Sequence, residues 1–383
     1  MRAPPALVYI VAGEASGDVL GARLMHAMRN QRDDLTFAGI GGARMAEEGL
    51  ETLFPMHELA LMGLAEVLPK LRALKRRMDE TVADVTTRRP AVIVTIDSPG
   101  FALRLLRRIA PLGLPRVHYV APQVWAWREN RVRKYPGLWE RLLCLLPFEP
   151  AFFAGHGLAA EFVGHPVLES GAGTGDAGRF RKTHGIAPHA MPIILMPGSR
   201  VTEITRLMPI FAGALGLLED RFPNLVPVMP VAASVAPRVT EAVATWPTKP
   251  ILVTDVADKH DAFAAARVAL TKSGTSTLEL ALAGVPMVVT YRVNPITAAI
   301  VRRVVKVSYA AMVNLLAGRE VVPELIQEHC TPARLAAEVG RLIEDEVAAD
   351  AQRAAFAEVM ESLRPRQGLP SDAAAAAVLA LLP

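Results

Sequence analysis

Short β-branched runs, each followed by an amphipathic helix, recur along this chain and limit its fold more than any other feature. Residues 7–11 read as a strand, a Gly-rich turn follows, and 20–28 carry apolar residues at helical spacing. Residues 91–96 form an almost unbroken apolar run, as expected of a parallel strand covered on both faces. Further strands are expected at 116–120 and 141–146. The small, polar stretch 170–178 (SGAGTGDAG) reads as a linker. The rhythm then restarts, with strands expected at 193–196, 226–229, 251–254, 268–271 and 287–290. The pattern predicts an α/β protein of two Rossmann-like, doubly wound domains facing a cleft. The expected division is 1–168 and 169–344, with a hinge within 165–185. The Ala-rich helices of 345–383 are expected on the first domain or on a partner's.

Composition narrows the class. A length of 383 residues suits two domains. With 51% hydrophobic and 21% charged residues, a disordered or coiled-coil chain is excluded. Cys144 and Cys330 are the only cysteines and form no CxxC pair, which argues against a disulfide scaffold or a Cys-rich zinc site and for a reducing compartment. The first residues read as a strand rather than a secretory leader. No apolar run reaches the roughly 18–20 residues of a membrane span. The net charge is +4, and the basic residues are scattered through helices, so no nucleic-acid partner is expected. No HExxH or comparable ligand cluster occurs, so neither metal nor cofactor is expected.

Chemistry is expected in the turns, because open parallel sheets bind ligands beyond the carboxyl ends of their strands. The first turn holds Gly13, Glu14, Ser16, Gly17 and Asp18; its small residues allow close backbone approach, and the helix behind it suits an anion. Ser16 or Asp18 could equally be a helix cap. Asp97, at the end of the 91–96 strand, can take a proton from a hydroxyl or cap the next helix. Ser199 and Arg200, in the turn 197–200, pair a flexible backbone with a guanidinium fork that matches phosphate. Ser273, Gly274, Thr275, Ser276 and Thr277 place hydroxyls and amides where a diphosphate could lie, and Glu279 follows where it could accept both hydroxyls of a ribose. Residues 59–68 are strongly apolar and run into Lys70, Arg72, Lys75, Arg76 and Arg77, a composition that suits either an anionic membrane surface or a buried helix. Trp125 and Trp127, beside Arg128, fit either a cleft or a membrane face, or core packing.

The blocks GEASGD, ELALMGLAEVLPKL, VTIDSPGF, VHYVAPQVWAWRENRVRKY, LLPFEP, FVGHPV, MPGSR, KSGTSTLELALAGVPMVVTYR and NLLAGREVVPELIQEHCTP resemble the lipid-A-disaccharide synthase family, in that family's order, over about residues 7–333. The resemblance implies a GT-B glycosyltransferase that inverts the donor's anomeric centre. It would join UDP-2,3-diacylglucosamine to 2,3-diacylglucosamine 1-phosphate by a β-1,6 bond and release UDP. It implies Asp97 as general base, Arg200 on the departing diphosphate, 273–277 as the phosphate loop and Glu279 on the ribose. Asn314, Glu320 and Gln327 fall in a block that lines the family's donor site, and Glu14 matches an acidic residue of the cleft. Leu61, Met62, Leu64, Val67 and Leu68 match a membrane-docking surface, so the protein is expected as a peripheral enzyme on the cytoplasmic face of the inner membrane. A homodimer through the C-terminal helices is a further expectation. One block departs from the family, which usually reads IDAPDFN; Gly100 and Ala102 stand here in place of the second Asp and the Asn. Rival expectations are another GT-B enzyme, a UDP-sugar 2-epimerase, or a binding protein that keeps the scaffold without catalysis.

Overall fold

The structure is a computed structural model that describes residues 5–59 and 64–383. The chain divides into two compact units, 1–166 with 363–383, and 167–362.

In the first unit, seven strands form one sheet: β1 (Ala6–Ala12), β2 (Leu35–Ile40), β3 (Glu51–Thr52), β4 (Val92–Ile96), β5 (Arg116–Tyr119), β6 (Arg141–Cys144) and β7 (Ala160–Phe162). Their order is β3-β2-β1-β4-β5-β6-β7, and each pairing is parallel. The order reverses between β1 and β4, the switch point at which doubly wound sheets bind ligands. Both faces of β1 are covered. Val8 and Ile10 pack toward Leu24, Met25 and Met28 of helix α1 (Ala15–Gln31), while Tyr9 and Val11 join the opposite core with Ile93 and Leu105. Continuous apolar strands such as β4 follow from this double coverage. Three further helices of this unit matter below: α2 (Ala43–Glu47), α3 (Leu64–Arg88) and α4 (Pro99–Ile109).

The second unit repeats the pattern with β8 (Met191–Met196), β9 (Leu225–Pro230), β10 (Ile251–Val253), β11 (Val268–Lys272), β12 (Met287–Tyr291) and β13 (Glu324–Ile326), in the parallel order β10-β9-β8-β11-β12-β13. Its main core sets Ile193, Leu195 and Leu270 against Leu207 and Phe211 of the Val201–Glu219 helix and Leu335 and Val339 of the Pro332–Glu344 helix. By length and composition, the segment Val201–Arg221 could cross a bilayer, yet half of it is buried in this core.

Two expectations are corrected. The stretch 170–178 is packed rather than a free linker: a side chain at Gly175 would meet the His260 carbonyl, and the Asp176 amide donates to Asp261 at 2.7 Å. The C-terminal helices also divide. The Glu346–Ser362 helix stays with the second unit, where the Gln352 amide bonds both the N–H and the C=O of Met287. Only the Pro370–Leu379 helix joins the first, burying Ala374, Ala375 and Val378 beside α1.

Candidate active site

In the first unit the turns after β1, β4 and β5 lie side by side. Ala12 is in register with Ile96, and Ile96 with Tyr119. The β1 and β4 turns touch: a side chain at Gly13 would stand 2.5 Å from Ser98 Oγ, so anything larger than glycine there would displace Ser98. Asp97 and Ser98 both adopt left-handed backbone, with φ of 50° and 45°, and Val120 at the end of β5 has φ 76°. A β-branched residue there is a true outlier, and such strain gathers where a fold positions functional groups. It is held by backbone bonds, Asp97 N–H to Tyr119 O at 2.9 Å and Val120 N–H to Leu143 O at 3.0 Å. Asp97 is half-buried. Burial pushes its carboxyl above the usual aspartate value, against the pull of the Ser98 N–H.

Glu14 and Ser16 are exposed on the rim, Glu14 at the N-cap of α1, with no capping bond from its side chain. Gly17 is buried against Ala12 and Ile96. Asp18 does not face a ligand and does not cap its own helix. Its carboxylate accepts the N–H groups of Gly42 (2.7 Å), Arg44 (3.1 Å) and Met45 (3.1 Å), and so closes the N-terminus of α2. Of the tryptophans, Trp125 donates to buried Glu149 at 3.0 Å, whereas Trp127 is exposed beneath Arg128.

Leu61 and Met62 lie outside the described residues. Leu64, Val67 and Leu68 fall in the first turns of α3, whose side chains there are likewise not described. The basic flank is partly spent internally. Arg77 holds Glu58 through two bonds of 2.6 and 2.7 Å and Glu80 through a third, leaving Arg72 and Lys75 exposed.

In the second unit a cavity of about 420 Å³ opens at the carboxyl ends of β8, β9, β10 and β11. Gly198, Ser199, Gly274, Thr275, Ser276 and Glu279 line it, as their positions after β8 and β11 led one to expect. Arg200 does not line it. Its side chain is 70% exposed and stands 3.6 Å from Glu203. The hydroxyls of Ser273 and Thr277 are turned to the Ala310 and Gly274 carbonyls (2.6 and 2.7 Å), which shapes the loop rather than the cavity.

Two lysines in the cavity wall were not assigned from the sequence. Lys272 Nζ lies 3.1 Å from Glu203 Oε1, while Glu203 Oε2 accepts the Ser199 and Arg200 amides. Lys259, from the Val256–Ala265 helix, holds both oxygens of Glu279 at 3.0 Å. Lys272 was legible as the residue opening the loop motif. Lys259 is separated from Glu279 by 20 residues, and nothing in the local pattern announces the pairing.

The 314–327 block is corrected in part. Asn314 is fully buried, and its amide is consumed by Val321 N–H, Val322 N–H, Val322 O and Glu324. It folds its own loop. Glu320 is exposed, and Gln327 accepts the Val293 N–H at 3.4 Å from a left-handed backbone.

Comparison with known proteins agrees with this arrangement. The lipid-A-disaccharide synthetase family profile matches residues 8–378. Lipid-A-disaccharide synthase of Gluconobacter oxydans is 59% identical over 98% of this chain and 91% of its own length. That of Granulibacter bethesdensis is 59% identical over 100% of both chains. Among solved structures, the glycotransferase of kitacinnamycin covers 99% of this chain and 100% of its own, with a TM-score of 0.65 at 18% identity, which shows a shared GT-B fold. Two doubly wound sheets, a family profile over residues 8–378 and 59% identity over nearly the whole chain to curated synthases lead to one conclusion: the chain belongs to the lipid-A-disaccharide synthase family, whose members form the lipid A disaccharide.

Proposed function

We propose that the two units divide the reaction between donor and acceptor. The second unit's cavity takes the diphosphate and ribose of UDP-2,3-diacylglucosamine. The observation that carries this is the pairing of cations and carboxylates in one wall, Lys272 with Glu203 and Lys259 with Glu279. The lysines compensate phosphate charge, and Glu279, held by Lys259, keeps lone pairs free for ribose hydroxyls. Arg200, whose side chain is exposed, closes on the departing diphosphate as charge develops there.

Asp97, in the first unit, accepts the proton of the acceptor's 6-hydroxyl. Its raised pKa makes it a stronger base than an ordinary aspartate. A single base without a separate nucleophile gives a direct displacement, so the new bond has the opposite configuration to the donor. Proton NMR of the disaccharide tests this, since a β-linkage from an α-configured donor supports the displacement and retention refutes it. Calorimetry adds a second check, in which Arg200→Ala weakens UDP binding.

The reading extends to a peripheral enzyme on the anionic cytoplasmic face of the inner membrane, docked through 59–68 and the exposed Arg72 and Lys75. A homodimer would exchange the Pro370–Leu379 helix, which here buries its alanine face on its own α1. Flotation with anionic vesicles and the sedimented mass test these two points.

A further inference from the structure

In the first unit a second cavity, of about 260 Å³, opens along the N-terminal half of α4. Gly100, Arg104, Arg107, Arg131, Lys134 and Tyr135 line it, and none of its lining residues is a carboxylate. Arg104, Arg131 and Lys134 are exposed and form no ion pair among the described residues. The Arg107 guanidinium donates to the Lys134 carbonyl at 3.1 Å, which fixes the Glu129–Lys134 turn against α4. A side chain at Gly100 would meet nothing within 4 Å, so the mouth of the cavity is open.

Four cations around so small a space repel one another, and a multiply charged anion relieves that repulsion. Guanidinium forks match the oxygens of a phosphate in particular. The location says which phosphate. Gly100 follows Asp97 by three residues, so the two Cα atoms are at most about 11 Å apart. In a pyranose, C1 and the C5 that carries C6 flank the ring oxygen, so the 1-phosphate of a hexose whose 6-hydroxyl meets Asp97 stays within a span that the long arginine side chains of this cavity can bridge.

We propose that the cavity beside α4, lined by Arg104, Arg107, Arg131 and Lys134, binds the 1-phosphate of the acceptor sugar and orients its 6-hydroxyl toward Asp97. The proposal rests on the reading of Asp97 as the base that faces the acceptor. It explains how the enzyme would tell the phosphorylated acceptor from a diacylglucosamine without phosphate.

The test is steady-state kinetics of the full-length enzyme in mixed micelles, with both acceptors, for Arg104→Gln, Arg131→Gln and the double variant. Both side chains are exposed and without acidic partners among the described residues, so the melting temperature should hold. The acceptor KM for the 1-phosphate should rise roughly three- to tenfold per arginine. The donor KM and the rate with the phosphate-free acceptor should not move, so discrimination between acceptors shrinks in the double variant. Unchanged discrimination overturns the proposal. Unchanged discrimination together with lost binding to anionic vesicles overturns it in favour of a lipid headgroup surface. A fully active Asp97→Asn removes the base reading instead, and collapsed discrimination in the arginine variants would then still establish the phosphate site.

Discussion

Asp97→Asn separates chemistry from folding. Aspartate and asparagine have nearly the same shape, and both tolerate left-handed backbone, so the φ of 50° is kept. Desolvation raises the Asp97 carboxyl, so its ionised form costs the folded chain stability that is present at low pH and lost as pH rises through the folded pKa. Asparagine carries no such cost, and Asp97→Asn should be at least as stable as the parent at pH 7. Its amide cannot accept the proton, so kcat should fall about 10²–10⁴-fold, or roughly 3–5 kcal/mol of barrier. UDP affinity should stay unchanged, because the cavity proposed for the donor lies in the other unit. Asp97→Ala is the contrast: alanine adds a left-handed penalty of about 1 kcal/mol to the same catalytic loss. In the parent, the acid limb of kcat/KM should lie above the usual aspartate value of about 3.9. The assay is UDP release from the acylated pair, with calorimetry and thermal melts on the same preparations. Parental turnover by Asp97→Asn would refute the assignment.

Other consequences can be checked in parallel. Lys272→Met leaves buried, amide-bonded Glu203 with only the exposed Arg200 as a nearby cation, so stability should drop by about 1–2 kcal/mol in urea unfolding, and UDP binding should weaken on calorimetry. Lys259→Gln should raise the KM for the UDP-sugar donor while leaving that for the acceptor alone, since it frees only Glu279. Asn314→Ala should destabilise by about 3 kcal/mol in urea unfolding, because it strands the Val321 and Val322 amides; a pure rise in donor KM at parental stability would restore Asn314 to the donor site. Burial depresses His118 to about 4, below its unfolded value. The linked stability is therefore full above about pH 6.5 and lost as pH falls toward 4, by about 3 kcal/mol. His118→Phe should remove that contribution and leave the similar one of buried His165, which burial also depresses to about 4.

Much of the fold was legible because its central strands carry their own signal. β4, β8 and β11 are covered on both faces and read as apolar runs. The strands at 35–40, 160–162 and 324–326 were not read. The first is interrupted by Gly39, and the other two are three-residue edges whose pairing comes from a neighbour rather than from their own pattern. Turns announced the candidate site, since Gly13, Asp97, Ser199 and Gly274 stand where parallel strands end. What side chains do once there was less legible. Asp18 and Asn314 have the composition of ligand-binding residues, yet both spend their hydrogen bonds on backbone distant in sequence or across a loop. Lys259 meets Glu279 only through the packing of two helices.

The most direct test of the account is UDP release by the purified protein in detergent micelles. UDP-2,3-diacylglucosamine and 2,3-diacylglucosamine 1-phosphate are supplied together and singly, with non-acylated UDP-N-acetylglucosamine alongside. The account predicts release that requires both acylated partners and stops without either. Turnover of the plain nucleotide sugar, with none from the acylated pair, would contradict it.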